Sequence, residues 1–258
     1  MSKESKQYHS VIFGEKNSWD DWHLIPTSRP VFNPPKPKLK TVDVPGGDGL
    51  LDVSELLTGY PVYENRTGSI EFMVHNGYEE WQVAYSNIMD YLHGQRLRAV
   101  LEDDPDYFYE GRYSVNIWKS DKAYSLITID YSVNPYKQSV LSTTDEWLWD
   151  PFNFHTGMAL TRTFKNIPVT EIYEPHHFID DIMGRAPVCP TFDIQTETGG
   201  GIYIRFVNEH LDIDIEKHAP DGKRRYPEFV FRGKAPVIYF KTVTGRGTVS
   251  VDYRPGRL

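Results

Sequence analysis

Residues 76–133 read NGYEEWQVAYSNIMDYLHGQRLRAVLEDDPDYFYEGRYSVNIWKSDKAYSLITIDYSV, and this stretch decides the fold. Asn76 can cap a helix, Glu79 follows three residues later as in a capping box, and Glu80 complements the positive helix end. Trp81, Ala84, Tyr85, Ile88 and Leu92 recur at spacings of three and four, forming one apolar helical stripe. Gly94 stands where a left-handed stop belongs, and the stripe is expected to pack on a sheet. A dense acidic and aromatic turn follows, Leu101-Glu102-Asp103-Asp104-Pro105 and then Tyr107 to Arg112. Period-two alternation takes over at Tyr113, Val115 and Ile117. After a turn at Ser120-Asp121-Lys122 it resumes at Ile127, Ile129, Tyr131 and Val133, which predicts a hairpin. So much local order without a nucleophile-and-base or metal-ligand pattern points to a protein that builds rather than converts.

Upstream, Ser10 to Phe13 reads as a first strand ending at Gly14. Pro30, Pro34, Pro35 and Pro37 exclude helix and central strand, and favour an extended arm that lies along another surface. Thr41 to Val44 reads as a strand stopped by Pro45-Gly46-Gly47-Asp48-Gly49. That glycine cluster has no following Lys-Ser/Thr and no helix start, so it is a plain turn rather than a phosphate loop.

Downstream, little apolar pattern crosses residues 139–150, and a domain boundary is expected near 138–145. The second half restarts with Trp147 to Phe154. Gly199-Gly200-Gly201 precedes an alternating strand through Ile202, Ile204 and Phe206, and Leu211, Ile213 and Ile215 alternate with acids. Val237 to Val243, the turn Gly245-Arg246-Gly247, and Val249, Val251 and Tyr253 read as a closing hairpin. Short strands at this spacing with no long helix predict a β-sandwich. The fold class is therefore mainly β, with a β-sandwich, one packed helix and an extended arm over 1–138, and a second β-sandwich over 139–258.

Composition agrees with this. The chain has 258 residues, 39% hydrophobic and 14% aromatic, which is enough for real cores and too much for a disordered chain. Net charge is −8; residues 1–138 carry 14 basic and 20 acidic side chains, and the remainder carries 14 and 16. A nucleic-acid reader needs a basic face, and this chain has no basic excess. It could lie beside nucleic acid without gripping it. The lone Cys189 excludes an internal disulfide and offers no zinc spacing. Residues 1–8 lack the apolar core of a secretory signal, and no apolar run approaches a bilayer's thickness, so no membrane insertion is expected. The Asn65-Arg66-Thr67 sequon is then read as chance.

Candidate chemistry is sparse. Asp103, Asp104, Asp106 and Glu110 crowd one turn, where turn formation explains them better than a pair of carboxylates facing a scissile bond. His176, His177, Asp180 and Asp181 carry metal-ligand chemistry, but neighbouring histidines point apart, and an exposed loop is expected. Cys189, between Val188 and Pro190, is expected to be a buried small side chain. The Trp and Tyr excess permits carbohydrate stacking by the second domain, although most of these aromatics fall in phase with a core. No catalytic residue, cofactor site or metal site is assigned.

Several motifs resemble the distal tail (Dit) proteins of long-tailed, siphovirus-type bacteriophages. These are Trp19-Asp20-Asp21-Trp22 with the proline arm, Tyr60-Pro61-Val62-Tyr63 with Arg66, and Tyr91-Leu92-His93-Gly94. Leu101 to Pro105 leading to Tyr109-x-Gly111-Arg112, Pro135-Tyr136-Lys137, and the closing Val251-Asp252-Tyr253-Arg254-x-Gly256-x-Leu258 add to the likeness. It is strongest over residues 10–138. The resemblance implies an N-terminal β-sandwich that forms a homo-hexameric ring at the tail tip, and a C-terminal galectin-like β-sandwich that projects outward. It implies as partners the tail tube protein, the tail-tip or lysin protein and a receptor-binding protein, with DNA passing through the ring without specific binding. The place of action would be the virion, after synthesis in the host bacterial cytoplasm. His176 to Arg185 looks like a loop insertion relative to that family.

Leu50, Leu51, Val53, Leu56 and Leu57 follow neither a clean helical nor a clean strand period and sit between turns, with Tyr60 just beyond. Such a patch docks on a neighbouring subunit or packs within its own domain. A carbohydrate-binding module and a glycan hydrolase are the alternative classes of function.

Overall fold

In a computed structural model, the described residues are 8–75, 81–120, 125–145, 164–177, 186–208, 212–232 and 236–258. The chain divides into two compact units, residues 1–138 together with Leu258, and residues 139–257.

The first unit contains β1 (Val11–Phe13), β2 (Lys16–Asn17), β3 (Leu24–Pro26), β4 (Thr41–Asp43), β5 (Leu50–Asp52) and β6 (Arg66–Val74). It continues with α1 (Trp81–Leu92), β7 (Gln95–Leu101), β8 (Asp104–Ser120) and β9 (Ser125–Val133), and β10 (Lys137–Ser139) stands at its boundary. One antiparallel sheet runs in the order β2-β1-β7-β8-β9-β6-β3. Phe13 on β1 and Phe72 on β6 lie four strand steps apart along it, roughly 19 Å if the sheet were flat. Their ring centroids are 6.4 Å apart. The sheet therefore curls over itself, and its two ends supply the two layers of the sandwich. Ladder irregularities between Val100 and Leu101 and between Val115 and Trp118 sit where the long strand β8 must bend.

The curl is driven by alternation. Ile70, Phe72 and Val74 of β6 and Ile127, Ile129, Tyr131 and Val133 of β9 face one core with Phe13 and Tyr113. The helix closes it by burying Trp81, Ile88 and Leu92, with Ala84 and Tyr85 packed beside them. Gly94, at φ +73°, ends the helix. Tyr91 donates to the Phe13 carbonyl at 3.0 Å and accepts from the Glu15 amide at 3.0 Å, which fastens the helix to the first hairpin. The capping residues Asn76 to Glu80 and the loop 121–124 lie outside the described residues.

Two local expectations are corrected. The acidic and aromatic stretch is mostly strand: only Glu102 and Asp103 turn, and Asp104 onward is β8, paired with β7. Pro105 is tolerated because it falls where Leu101 pairs with Asp104 and Val100 with Phe108, inside the ladder irregularity. Near the far end of β8, three residue steps from Val115 to Trp118 face two on β9, from Ile129 to Ile127. The bulge breaks the simple alternation and brings Trp118 onto the core, 5.6 Å from Trp81 and 5.2 Å from Tyr85.

The second unit contains β11 (Ile167–Val169), β12 (Glu174–His177), β13 (Thr191–Thr196), β14 (Ile202–Asn208), β15 (Ile213–Ala219), β16 (Gly222–Arg225), β17 (Val237–Thr242), β18 (Gly247–Asp252) and β19 (Gly256–Arg257). Two four-stranded sheets, β11-β18-β13-β16 and β12-β17-β14-β15, form a sandwich. Phe192 of one sheet meets Phe240 of the other edge-on at 6.2 Å, and Phe229 packs on both Phe192 and Phe206. Residues 147–154 and Leu211 lie outside the described residues.

The expected closing hairpin is not one. β17 and β18 belong to different sheets, so the Val243–Arg246 corner carries the chain from one layer to the other. The corners β13–β14 and β15–β16 do the same, and each has a glycine at positive φ, namely Gly199, Gly201, Gly222 and Gly245. Gly201 is the most constrained, because a Cβ there would clash with the Ala219 carbonyl. Both strands of such a corner alternate apolar and polar residues, as a hairpin does, so the sequence pattern alone does not separate the two arrangements.

Candidate functional site

Among the described residues of the first unit, the exposed apolar side chains concentrate on one feature, the arm between β3 and β6. Pro30 and Phe32 are buried against the body, and the chain then leaves as a two-stranded ribbon. Pro37 faces Tyr63, the Lys38 amide donates to the Val62 carbonyl, and the Glu64 amide donates to the Lys36 carbonyl. Pro37 therefore occupies a position at which no amide proton is needed, which reconciles proline with pairing. Farther out, Thr41 pairs with Asp52, Val42 with Leu51 and Asp43 with Leu50. The glycine turn 45–49 closes the tip, with Gly46 and Gly49 at positive φ. From Lys38 to that tip the ribbon reaches roughly 25 Å at strand rise.

The arm exposes what a soluble strand pair would normally hide. Leu50 is 64% exposed, Leu51 56%, Leu56 79% and Leu57 95%. Val53 and Tyr60 are half-buried. Leu50 and Leu51 lie on β5, whereas Leu56 and Leu57 lie on the turn beyond it, where the Gly59 amide bonds back to the Glu55 carbonyl at 2.7 Å. Sequence reasoning missed the partners on the same arm, since Leu39, Val42 and Val44 are also exposed. The missed signal was the second strand after the glycine turn, since Thr41–Asp43 pairs with Leu50–Asp52 as one hairpin.

The acidic cluster disperses. Glu102 accepts from the amide and hydroxyl of Ser10, Asp104 pairs with Lys137 at 2.6 Å, and Glu110 with Arg96 at 3.2 Å. Asp103 is held by His9 and Arg29, each at 2.9 Å. Glu102 and Asp103 both hold the chain at residues 9–10, whereas Asp104 and Glu110 reach Lys137 and Arg96. Partial burial raises the Asp103 pKa, but the hydrogen bonds and charges of His9 and Arg29 outweigh it and hold the carboxyl below the ordinary aspartate range. A depressed folded pKa gives stabilisation that is present above about pH 4 and lost as pH falls through the folded value. Carboxyl NMR should accordingly give Asp103 a midpoint below that of a free aspartate, with the Arg29 Nε signal shifting in step. A midpoint at or above the ordinary value would disprove the tether.

His176 lies on edge strand β12 opposite Ile238, not in a loop, because Glu174–His177 pairs with β17. Residues 178–185 lie outside the described residues. Cys189 is half-exposed rather than buried, and its thiol donates to the Tyr226 carbonyl at 3.1 Å. No group of three His, Cys, Asp or Glu among the described residues converges as a metal site would.

In the second unit, Tyr203 and Tyr239 stand out of phase with the core, on the solvent face of β14 and β17. That face is closely paired internally. Arg205 forks onto Asp214 at 2.8 and 2.5 Å and lies 5.9 Å from the Tyr239 ring centre. Tyr173 donates to Glu216 at 2.6 Å, and burial together with that carboxylate pushes its pKa up to about 12.

A curled sheet with one helix and a projecting ribbon, followed by a two-sheet sandwich, defines a class: the chain has a Dit-like fold. One solved structure that shares it is the Dit protein (gp 19.1) of SPP1, described as a paradigm of the hub adsorption apparatus in phages infecting Gram-positive bacteria. The two are 11% identical, with a TM-score of 0.58 over 95% of this chain and 98% of that one. No protein-family model matches the sequence. No curated protein sequence matches it either.

Proposed function

We propose that this protein is a structural subunit of a phage tail tip, assembling as a homo-hexameric ring through its arm. The observation that carries the proposal is the ribbon of exposed leucines and valines reaching away from a body whose own core is complete. Fold likeness to a phage hub protein supports the setting. In this reading the first unit forms the ring between the tail tube protein and the tail-tip or lysin protein. The second unit takes a receptor-binding protein as its partner, and DNA crosses the ring unbound. The excess of acids over bases in residues 1–138 supports that passage through net charge. Unpaired acids of the 101–110 stretch are not what supports it, because Asp103, Asp104 and Glu110 are each paired with bases. Mass measurement of the full chain, alone and with tail partners, tests the ring; monomer under every condition would sink it.

A second reading, glycan binding by the second unit, has one observation behind it: the solvent-facing Tyr203 and Tyr239 beside Arg205 and Asp214. Retention on immobilised cell-wall glycan would favour it.

We read the chain as having no catalytic role. The parent protein is expected to give blank values on glycan, peptide and phosphate substrates, as is a variant with His176, His177, Asp103 and Asp104 changed to alanine. Turnover by the parent that vanishes in the variant would overturn the structural reading.

A further inference from the structure

We infer that Arg66 is the pin that fixes the direction in which the arm leaves the first unit, and so a positioning residue for subunit docking. The inference rests on reading the arm as the subunit contact.

Arg66 opens β6 and is only 6% exposed. Its Nε donates to the Pro135 carbonyl at 2.8 Å and its Nη1 to the Asn33 carbonyl at 3.0 Å. The guanidinium lies 5.6 Å from the Tyr109 ring centre. Among the described residues no carboxylate pairs with it. Burying a cation against carbonyls alone is costly, and burial indeed depresses its pKa. In return it joins three segments: the start of the arm, β6, and the connection after β9. The planar guanidinium presents Nε and Nη1 at a fixed separation to two carbonyls on separate segments, whereas a lysine ammonium offers its three donors from a single point on a flexible stem.

The rest of the root is built around the same residue, Asn33. Its amide donates to the Tyr131 hydroxyl at 2.9 Å, and its side-chain Nδ2 donates to the Thr67 carbonyl at 3.0 Å. Phe32, the residue before it, stacks on Tyr109 at 4.0 Å and meets Tyr131 edge-on at 4.6 Å. Gly68 leaves the space, since a Cβ there would stand 2.5 Å from both Asn33 Nδ2 and the Tyr131 hydroxyl. The amide, the carbonyl and the side chain of Asn33 are thus all held. Pro34, Pro35 and Pro37 follow, with φ fixed by their rings, so the orientation set at Asn33 is passed stiffly into the ribbon. With a reach of roughly 25 Å, a tilt of about 10° at the root displaces the tip by about 4 Å. A docking surface lined by leucines does not tolerate that.

The test uses the full chain with Arg66→Met, Arg66→Lys and Gly68→Ala, read by amide hydrogen exchange and by the concentration needed for assembly. In all three, exchange at Asn33, Lys38 and Glu64 is expected to rise by about tenfold while Ile129 in the central ladder stays at the parent rate. The assembly concentration is expected to rise in parallel. Gly68→Ala dislodges the root with the charge intact, so it answers even if Arg66→Met does not fold. Unchanged root exchange, equal acceleration at Ile129, or unaltered assembly with a loosened root would each overturn the pin. Leu51→Asp separates the two readings. If it assembles like the parent, the arm contact is wrong; if it blocks assembly while Arg66→Met loosens the root without raising the assembly concentration, the pin alone is wrong.

Discussion

Leu51→Asp and Leu57→Asp are each expected to abolish ring assembly while leaving circular dichroism and thermal unfolding as in the parent. Both side chains point to solvent, at 56% and 95% exposure, so a charge there removes nothing from the core of the chain. Burying a leucine on a neighbour contributes roughly 1.5–3 kcal/mol, and burying an unpaired carboxylate costs several more. In the proposed six-membered ring the same contact recurs at every interface, so the penalty multiplies. Leu51 faces Val42 across the ribbon, so Val42→Asp should act in the same direction. Variants that assemble like the parent would move the contact elsewhere on the chain.

Phe13→Ala and Phe240→Ala should each lower one unfolding transition and spare the other. Phe13 is fully buried among Trp22, Phe72 and Tyr113, at 6.2, 6.4 and 5.2 Å. Phe240 is fully buried against Phe192 in the second sandwich. The two apolar cores share no residue. Removing a buried phenyl ring costs about 3–5 kcal/mol, which in a unit of this size is a fall in Tm on the order of 10 °C or more. Calorimetry on the full chain is expected to resolve two transitions, the lower shifted by one substitution and the upper by the other, or the reverse. A single transition moved equally by both would show that the cores unfold as one.

Local signals in the sequence determined what local physics controls. The helix stripe from Trp81 to Leu92 was legible because its period needs no partner, and Gly94 stopped it at positive φ. The alternation from Tyr113 and from Ile127 gave the central hairpin, and the glycine cluster after Val44 gave a turn. The leucines of the arm stood out only as apolar residues without a period, and their exposure is seen only in the fold. Strands β6 and β7 carry a fainter signal, because Ile70, Phe72 and Val74, and Leu97, Ala99 and Leu101, alternate over only three apolar positions each.

What remained was decided by tertiary structure. Alternation cannot say whether two strands pair or face each other, so only the fold showed that β17 and β18 lie in different sheets. Spacing cannot say which acids meet which bases, so only the fold dispersed Glu102, Asp103, Asp104 and Glu110 among Ser10, His9, Arg29, Lys137 and Arg96. In the sequence Arg66 stands out only as part of a family-like motif, with nothing to show that it is buried. It is buried because Asn33 and Pro135, distant in sequence, bring their carbonyls to it, and such pairing is fixed by long-range contacts that no local pattern encodes.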